Sequence, residues 1–341
     1  MTDSDPFGAL DGLRVIEMGQ LIAGPFCGQL MADHGAEVIK VEQPGVGDPM
    51  RVWGRAESLW WPIVGRNKKS ITLNLRTEAG QELIKELIKD ADFLLENFRA
   101  GTLEKWGLGW NTLSEINPRL IMIRVSGYGQ TGPYSSRAGY GSIGEAMGGM
   151  RNLAGDPRTP PSRIGLSIGD ELAATMACLG ALMALHRRTV TGRGQVVDSA
   201  IYEAVLTMME STVAEYTQSG YLRERTGAIL PNVAPSNVYP VTDGDILIAA
   251  NQNTVFARLC EAMGQPDLAE DKRYATHLAR GEHQEELDNI IAEWSKDYTA
   301  KDLLALMEDN GVPAGKIYKA PDMLEDEHFQ AREAIVHVEH P

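Results

Sequence analysis

The side chain with the clearest chemical potential in this sequence is the carboxylate of Asp170. It follows Ile168 and Gly169 and precedes a stretch whose apolar residues recur with helical spacing. Spacing alone favours an ordinary helix N-cap, because aspartate commonly accepts a hydrogen bond from a backbone N–H there. The same position suits covalent catalysis, since the helix dipole favours an ionised carboxylate that can attack a carbonyl. Nearby N–H groups would then stabilise the oxyanion.

Basic residues occur at the ends of predicted strands and in loops, where an extended anionic ligand could bind. Each is most simply a solvated surface charge, but loops at strand ends are also where binding groups concentrate. These residues are Arg51, Arg66, Lys68, Lys69, Arg76, Arg99, Lys105 and Arg137.

Other sequence patterns give weaker indications of chemistry. Residues 127–132 match the dinucleotide fingerprint G-x-G-x-x-G, but Pro133 and not a helix follows, so we interpret them as a glycine turn. Cys27, Cys178 and Cys260 lack metal-ligand spacing and are typical of small buried residues in a reducing compartment. The histidines are scattered, and we predict no metal site.

The elements that must position these groups alternate between strand and helix. Short apolar runs predict strands, and a period near 3.6 predicts helices. The predicted strands are residues 13–17, 38–42, 70–75, 93–97, 120–125 and 195–198, and the predicted helices are residues 27–34, 77–89, 170–188 and 200–216. This alternation favours an α/β domain with a Rossmann-like parallel sheet covered on both faces.

The sequence also predicts how the chain divides into domains. We expect a large domain over residues 1–218, a linker over 219–236 and a small α+β domain over 237–325. Two apolar runs around Thr242-Asp243-Gly244 predict a hairpin in the small domain. Residues 326–341 are expected to return toward the large domain.

Composition excludes some classes of partner. The 341 residues carry 47 acidic and 32 basic side chains, a net charge of −15, which argues against a nucleic-acid partner. No unbroken run of eighteen apolar residues occurs, and we therefore predict no membrane-spanning helix. The acidic N-terminus differs from a signal peptide, so we expect a cytoplasmic protein.

Several short segments spread along nearly the whole chain carry a family resemblance. They are residues 10–17, 23–25, 35–42, 44–51, 66–70, 96–99, 165–170 and 191–195. Together they resemble the class III CoA-transferase family, the group that includes formyl-CoA transferase, carnitine CoA-transferase and the 2-methylacyl-CoA racemases.

The resemblance implies a fold, a substrate and a mechanism. It implies a Rossmann-like large domain, a smaller α+β domain and a homodimer of interlocked rings, with acyl-CoA and small carboxylic acids as substrates and no tightly bound cofactor. Asp170 aligns with the nucleophilic aspartate, which would form an anhydride and then an aspartyl-CoA thioester. The implied CoA-binding residues are Ile22, Ala23, Gln43, Leu73, Asn74, Leu75, Arg76, Asn97, Phe98, Arg99 and Lys105, with Arg137, Ala138, Gly139 and Tyr140 near the pantetheine.

Two positions favour a transferase over a racemase. The resemblance implies that a racemase would have a histidine where this chain has Tyr140, whose phenol has too high an ordinary pKa for acid–base work. A racemase would also have a glutamate in the small domain, where this chain offers Asn251, Gln252 and Asn253. The racemase, and a catalytically silent CoA-binding protein in which Asp170 is only a cap, stay as alternatives.

The chain departs from the family pattern in two places. The glycine-rich loop of formyl-CoA transferase is not visible in residues 228–240, which disfavours formate and oxalate and is nearer to members that use succinyl-CoA or another dicarboxylic acid. The chain ends at Pro341, where family members usually continue, so we expect the C-terminal part of the family to be missing from this sequence.

Overall fold

A six-stranded sheet forms the centre of the first part of the chain. The computed structural model describes residues 8–55 and 58–339. The strands are β1 (Arg14–Glu17), β2 (Glu37–Glu42), β3 (Lys68–Thr72), β4 (Phe93–Glu96), β5 (Ile121–Ser126) and β6 (Val196–Ala200). They lie in the order β3-β2-β1-β4-β5-β6, and every neighbouring pair is parallel. The predicted α/β fold class is confirmed.

Burial explains why these segments form strands. All residues of β4 and β5 are buried, as expected for a parallel sheet with helices on both faces. The predicted strand over residues 70–75 is shifted: β3 begins at Lys68 and ends at Thr72. The pattern of apolar residues did not place Lys68 in the strand because lysine is charged; in the structure its buried charge is compensated by Glu17. The strand ends earlier than predicted because the chain turns at Asn74 and leads into Thr77, the predicted helix cap.

Ten α-helices accompany this sheet in the described residues. They are α1 (Ala23–Asp33), α2 (Trp60–Gly65), α3 (Glu78–Ile88), α4 (Thr102–Lys105), α5 (Trp110–Ile116), α6 (Gly141–Met147), α7 (Met150–Leu153), α8 (Ile168–Thr191), α9 (Ile201–Thr207) and α10 (Thr212–Ser219). The single helix predicted over residues 200–216 is wrong. It is interrupted where Glu210 adopts a φ of 50°, a conformation that a helix interior does not allow.

The long helix α8 carries the alanine-rich face of the core. Ala173, Ala177, Ala181 and Ala184 are buried in the cluster that also contains residues of α1 and the sheet. Within the described residues, α8 is long and apolar enough by length and composition to cross a membrane, contrary to the expectation from unbroken apolar runs. The core accounts for the apolar residues on one face of α8, whereas Leu179, Met183 and Val190 are exposed.

The chain divides into two compact units. The first comprises the described residues up to Ala154 together with Pro161–Arg225, and the second comprises Gly155–Pro160 and the described residues from Thr226 onward. The first unit thus extends beyond residue 218, where we placed the end of the large domain. The final described residues, which we expected to return toward the large domain, group with the second unit.

The second unit is an α+β structure around a small antiparallel sheet. Its strands are β7 (Ser236–Val241), β8 (Gly244–Ala249) and β9 (Ala314–Lys316), in that order. Its helices are α11 (Asn253–Ala262), α12 (His277–Glu282), α13 (Gln284–Ser295), α14 (Ala300–Asp309), α15 (Ala320–Glu325) and α16 (Glu327–Ala331). The predicted hairpin is present as β7 and β8. The three residues of β9 were not predicted because Ala-Gly-Lys has no strand pattern.

Candidate active site

A cavity of about 520 Å³ lies in the first unit, at the carboxyl ends of β1, β4 and β5. The sheet order reverses between β1 and β4, since β2 lies to one side of β1 and β4 to the other. In an open α/β sheet, a ligand binds in the crevice at such a reversal. The topology therefore places the cavity where this fold is suited to bind a ligand.

Most of the residues predicted from the sequence line this cavity. Ile22, Ala23, Asn97, Phe98, Arg99, Arg137, Ala138, Gly139 and Tyr140 do so together with Asp170. Gln43, Leu73, Asn74, Leu75, Arg76 and Lys105 are not part of its lining. Gln43 follows β2 and Leu73 follows β3, so they lie farther along the same edge of the sheet. The role of this second group in binding CoA stays a prediction.

Asp170 lies inside the first turn of α8, so its interpretation as an N-cap is wrong. Ser167 is the N-cap residue, and Asp170 is the third residue of the helix. Its carboxylate is half-buried on the cavity wall, and no hydrogen bond or ion pair engages it in the described parts of the chain. A methyl group on Gly141 would overlap its Oδ2 atom. The side-chain carboxylate therefore stays available because residue 141 is glycine.

The surroundings of Asp170 make its carboxyl group less acidic than its place in a helix suggests. Burial raises the pKa of Asp170 to about 6, and the negative charges of Glu145 and Glu171 add to the rise, whereas Arg163 opposes it. Glu145 is buried on α6 and forms an ion pair with Arg151 at 2.8 Å. Near neutral pH the group is therefore ionised yet poorly solvated, which suits a nucleophile.

We expect kcat/KM to fall as the pH drops through about 6, because protonation of Asp170 below its raised pKa removes the nucleophile. Glu145→Gln removes a negative neighbour and lowers that pKa, so the acidic limb of the pH–rate profile should move to lower pH. Glu82→Gln, at an exposed residue of α3, is the control and should leave the limb in place. An identical limb in wild type and Glu145→Gln would contradict this assignment.

A buried set of four charges lies beside the cavity wall. The side chains of Glu17, Lys40, Asp48 and Lys68 are all at most 2% exposed. Lys40 Nζ lies 2.7 Å from Asp48 Oδ2 and 3.1 Å from Glu17 Oε1, and Lys68 Nζ lies 2.8 Å from Glu17 Oε2. Two positive charges thus compensate two negative ones, which burial of such groups requires.

These charged groups fix the loop between β1 and α1. Lys40 donates to the carbonyl oxygen of Gly19, and Asp48 Oδ1 accepts from the backbone N of Leu21 at 3.1 Å. Asn97 accepts from the backbone N of Gln20 and donates to its carbonyl oxygen, both at 2.8 Å. Leu21 is thereby held at a φ of 63°, uncommon for a residue other than glycine. The loop that supplies Ile22 to the cavity is fixed by side chains distant in sequence.

The predicted cations separate into two groups. Four of them have carboxylate partners: Arg51 pairs with Glu42, Arg66 with Asp33, Lys68 with Glu17 and Lys69 with Glu37. Carboxylates thus compensate these four charges, and their role in binding a ligand stays a prediction. No ion pair engages the other four within the described ranges, and these are Arg76, Arg99, Lys105 and Arg137.

The glycine motif of residues 127–132 forms a turn, as interpreted from the sequence. Gly129 and Gly132 have φ values of 82° and 84°, and the next helix begins only at Gly141. A Cβ on Gly127 would lie 2.8 Å from the α-carbon of Gly139. The motif therefore lets two segments of the cavity wall pack closely and does not present a helix terminus to a phosphate.

Sequence reasoning missed Arg163 and Ser167, which also line the cavity. The only signal was a basic residue shortly before the helix that carries Asp170. The positions that argued against a racemase, residues 251–253, lie in the second unit. There the Asn253 side-chain oxygen accepts from Arg280 Nη2 at 2.9 Å. Across residues 8–55 and 58–339, no cluster of histidine, cysteine and acidic side chains is arranged to hold a metal.

Comparison with known proteins identifies the family. The sequence pattern described as CoA-transferase family III matches residues 10–341. The chain is 61% identical to succinyl-CoA–D-citramalate CoA-transferase of Chloroflexus aurantiacus, over 100% of this chain and 86% of that protein. The chain belongs to CoA-transferase family III. The family resemblance seen in the sequence motifs is thus confirmed, and the protein is a CoA-transferase.

Further relatives of this CoA-transferase support the same family assignment. It is 41% identical to the beta subunit of succinyl-CoA–L-malate CoA-transferase from Chloroflexus aurantiacus, over 97% of this chain and 83% of that one. It is 38% identical to succinyl-CoA:mesaconate CoA-transferase of Haloarcula marismortui, over 98% of this chain and 86% of that one. The crystal structure of a CaiB/BaiF family protein from Brucella suis superposes with a TM-score of 0.86 at 37% identity, covering 96% of this chain and 88% of that one.

Proposed function

We propose that this enzyme transfers CoA from succinyl-CoA to another dicarboxylic acid, with Asp170 as the covalent nucleophile. The observation that carries the proposal is a half-buried carboxylate on the cavity wall that has no protein partner in the described residues. The three relatives compared above are each named for transfer between succinyl-CoA and a dicarboxylic acid. The unpaired carboxylate of Asp170 and the activities of these relatives together favour transfer of CoA between dicarboxylic acids.

The proposed reaction has four steps. A carboxylate oxygen of Asp170 attacks the thioester carbonyl, and the C–S bond breaks to give a mixed anhydride and CoA thiolate. The thiolate attacks the side-chain carbonyl carbon of Asp170, which releases succinate and leaves an aspartyl-CoA thioester. The acceptor carboxylate attacks this thioester to form a second anhydride and free thiolate. The thiolate then attacks the acceptor carbonyl, which forms the product and restores Asp170.

The cavity lining favours this exchange over racemisation. Removal and return of a proton at an α-carbon needs a suitable acid and base on opposite sides of that carbon. Among the lining residues of the described cavity, Asp170 is the sole carboxylate and none is a histidine. Tyr140 occupies the position where the racemase resemblance would require a histidine, and it is 68% exposed.

Product analysis tests the proposal directly. Succinyl-CoA is incubated with citramalate, malate, mesaconate or glutarate, and with acetate, formate and oxalate as comparison acids, and the CoA esters are separated chromatographically. We expect transfer to at least one of the first four acids and much less to the comparison acids. Incorporation of deuterium at the α-carbon of a 2-methylacyl-CoA, without any transfer, would refute the proposal in favour of a racemase.

We further propose that the enzyme is a homodimer of interlocked rings located in the cytoplasm. One face of α8 supports self-association, because Leu179, Met183 and Val190 are 47%, 62% and 70% exposed in the single chain. Large exposed apolar side chains on one face indicate a protein contact. Light scattering should give twice the chain mass of 37.3 kDa. A mass of one chain at micromolar concentration would contradict the dimer.

A further inference from the structure

Arg163 is a cavity residue whose charge is not neutralised by an ion pair in the described part of the chain. It lines the same cavity as Asp170. Arg158, in the segment just before, does pair with an acid, Asp156, at 2.7 Å.

The guanidinium of Arg163 is nevertheless held in a defined orientation. Its Nε and Nη2 donate to the carbonyl oxygen of Leu166 at 3.2 and 3.1 Å, and Nη2 also donates to Ser167 Oγ at 3.1 Å. Ser167 is the N-cap residue of α8, the helix that carries Asp170. In the described structure Nη1 has no hydrogen-bond acceptor. Nε and Nη2 are therefore anchored to the start of α8, and Nη1 is free to donate.

A guanidinium with a free Nη1 group is suited to bind a carboxylate. Nη1 can donate a charge-assisted hydrogen bond to a carboxylate, and a pre-oriented guanidinium loses less conformational freedom on binding than a mobile one. A dicarboxylic acyl thioester places one carbonyl at the nucleophile and carries a second, charged carboxylate a few bonds away. A monocarboxylic ester has only an apolar end there.

We infer that Arg163 binds the free carboxylate of the dicarboxylic acid and so selects dicarboxylic over monocarboxylic acyl groups. The inference rests on the proposed function, because it requires the thioester carbonyl to lie at Asp170. Two other cations, Arg99 and Arg137, line the cavity without ion pairs. Both lie on segments that the family resemblance assigns to CoA. The guanidinium carbon of Arg137 also lies 3.6 Å from the centre of the Tyr134 ring. Arg163 is the cation attached to the nucleophile's own helix.

The experiment compares succinyl-CoA with butyryl-CoA, which has a methyl group in place of the carboxylate. The variants are Arg163→Gln, Arg163→Lys and the control Arg158→Gln, and the readout is the single-turnover rate at which the free acid is released, measured over a range of ester concentrations. We expect Arg163→Gln to lower kcat/KM for succinyl-CoA about 100-fold with little change for butyryl-CoA. Arg163→Lys should lie between, and Arg158→Gln should match wild type.

Product inhibition also tests whether Arg163 binds the free carboxylate, and it does not require butyryl-CoA. Arg163→Gln should weaken inhibition by free succinate at least about tenfold and leave inhibition by free CoA unchanged. Equal losses with both esters would overturn the inference, since Arg163 would then act on Asp170 or on the fold. Unchanged succinate inhibition would also overturn it. If wild type transfers CoA to no acid at all, the proposed function itself fails, a result distinct from either of these.

Discussion

Replacement of Asp170 by asparagine is expected to lower kcat for CoA transfer at least about 10⁴-fold. The amide has nearly the same shape as the carboxylate but is too weak a nucleophile to attack a thioester. Stability should not fall, because the folded structure disfavours the charged form: burial and the nearby charges of Glu145 and Glu171 raise the pKa of Asp170. Initial-rate measurements and a thermal unfolding curve on the same preparation test both statements.

Glu171→Gln is the matched control for the nucleophile. Glu171 follows Asp170 in the first turn of α8 but does not line the cavity. Its replacement should keep transfer within about threefold of wild type. The nucleophile assignment would be contradicted if Asp170→Asn retained more than a few per cent of wild-type kcat, or if the two variants lost activity equally.

The second large expected effect is on stability, from Lys40→Met. Lys40 is 1% exposed and compensates Asp48 and Glu17, which are equally buried. Methionine has a similar length but no charge, so Asp48 would be left buried without a cation. Removal of one member of a buried ion pair typically costs about 3–5 kcal/mol, and we expect a loss of that size in the free energy of unfolding. Urea denaturation measures it.

Lys69→Met is the matched control for Lys40. Lys69 lies on the neighbouring strand β3 in register with Ile39, and it pairs with Glu37 while 73% exposed. An exposed ion pair contributes only about 0–1 kcal/mol, so this variant should unfold almost like wild type. Equal losses in the two variants would show that the buried network has no special role. The folded fraction of the Lys40→Met enzyme should also show a raised KM for the CoA ester, because Lys40 donates to the carbonyl oxygen of Gly19 and so fixes that loop.

Much of the fold could be predicted from local patterns. Apolar runs of four to six residues gave β4 and β5, because a parallel strand buried on both faces needs no polar alternation. Thr77 was predicted as the cap of α3, and its hydroxyl accepts from the backbone N of Gly80 at 3.2 Å. These features depend on neighbours in sequence, which is why periodicity and cap chemistry indicate them.

What could not be predicted depends on contacts distant in sequence. Lys40 and Lys68 look like surface residues by type, and only the fold brings Glu17 and Asp48 to them. The bonds between Asn97 and Gln20 likewise join separate strand ends. The break before α10 arises from the backbone at Glu210, where no glycine or proline indicated it.

The candidate site was predicted less from spacing than from the family resemblance. Spacing indicated that Asp170 was significant but favoured a helix cap, which the structure contradicts. The motifs selected the segments around Asn97 and Arg137, and the cavity brings both together with Asp170. Arg163 escaped notice because it lies in an irregular segment, where no periodic pattern distinguishes a binding group from a solvated charge.

The covalent role of Asp170 is tested most directly by mass spectrometry of the trapped intermediate. Enzyme is mixed with succinyl-CoA, quenched in acid and digested, and the peptide that contains Asp170 is analysed. We predict an added mass equal to CoA less one water on that residue, present in wild type and Glu171→Gln and absent in Asp170→Asn. Active enzyme that transfers CoA without this adduct, or with the adduct on another side chain, would contradict the mechanism.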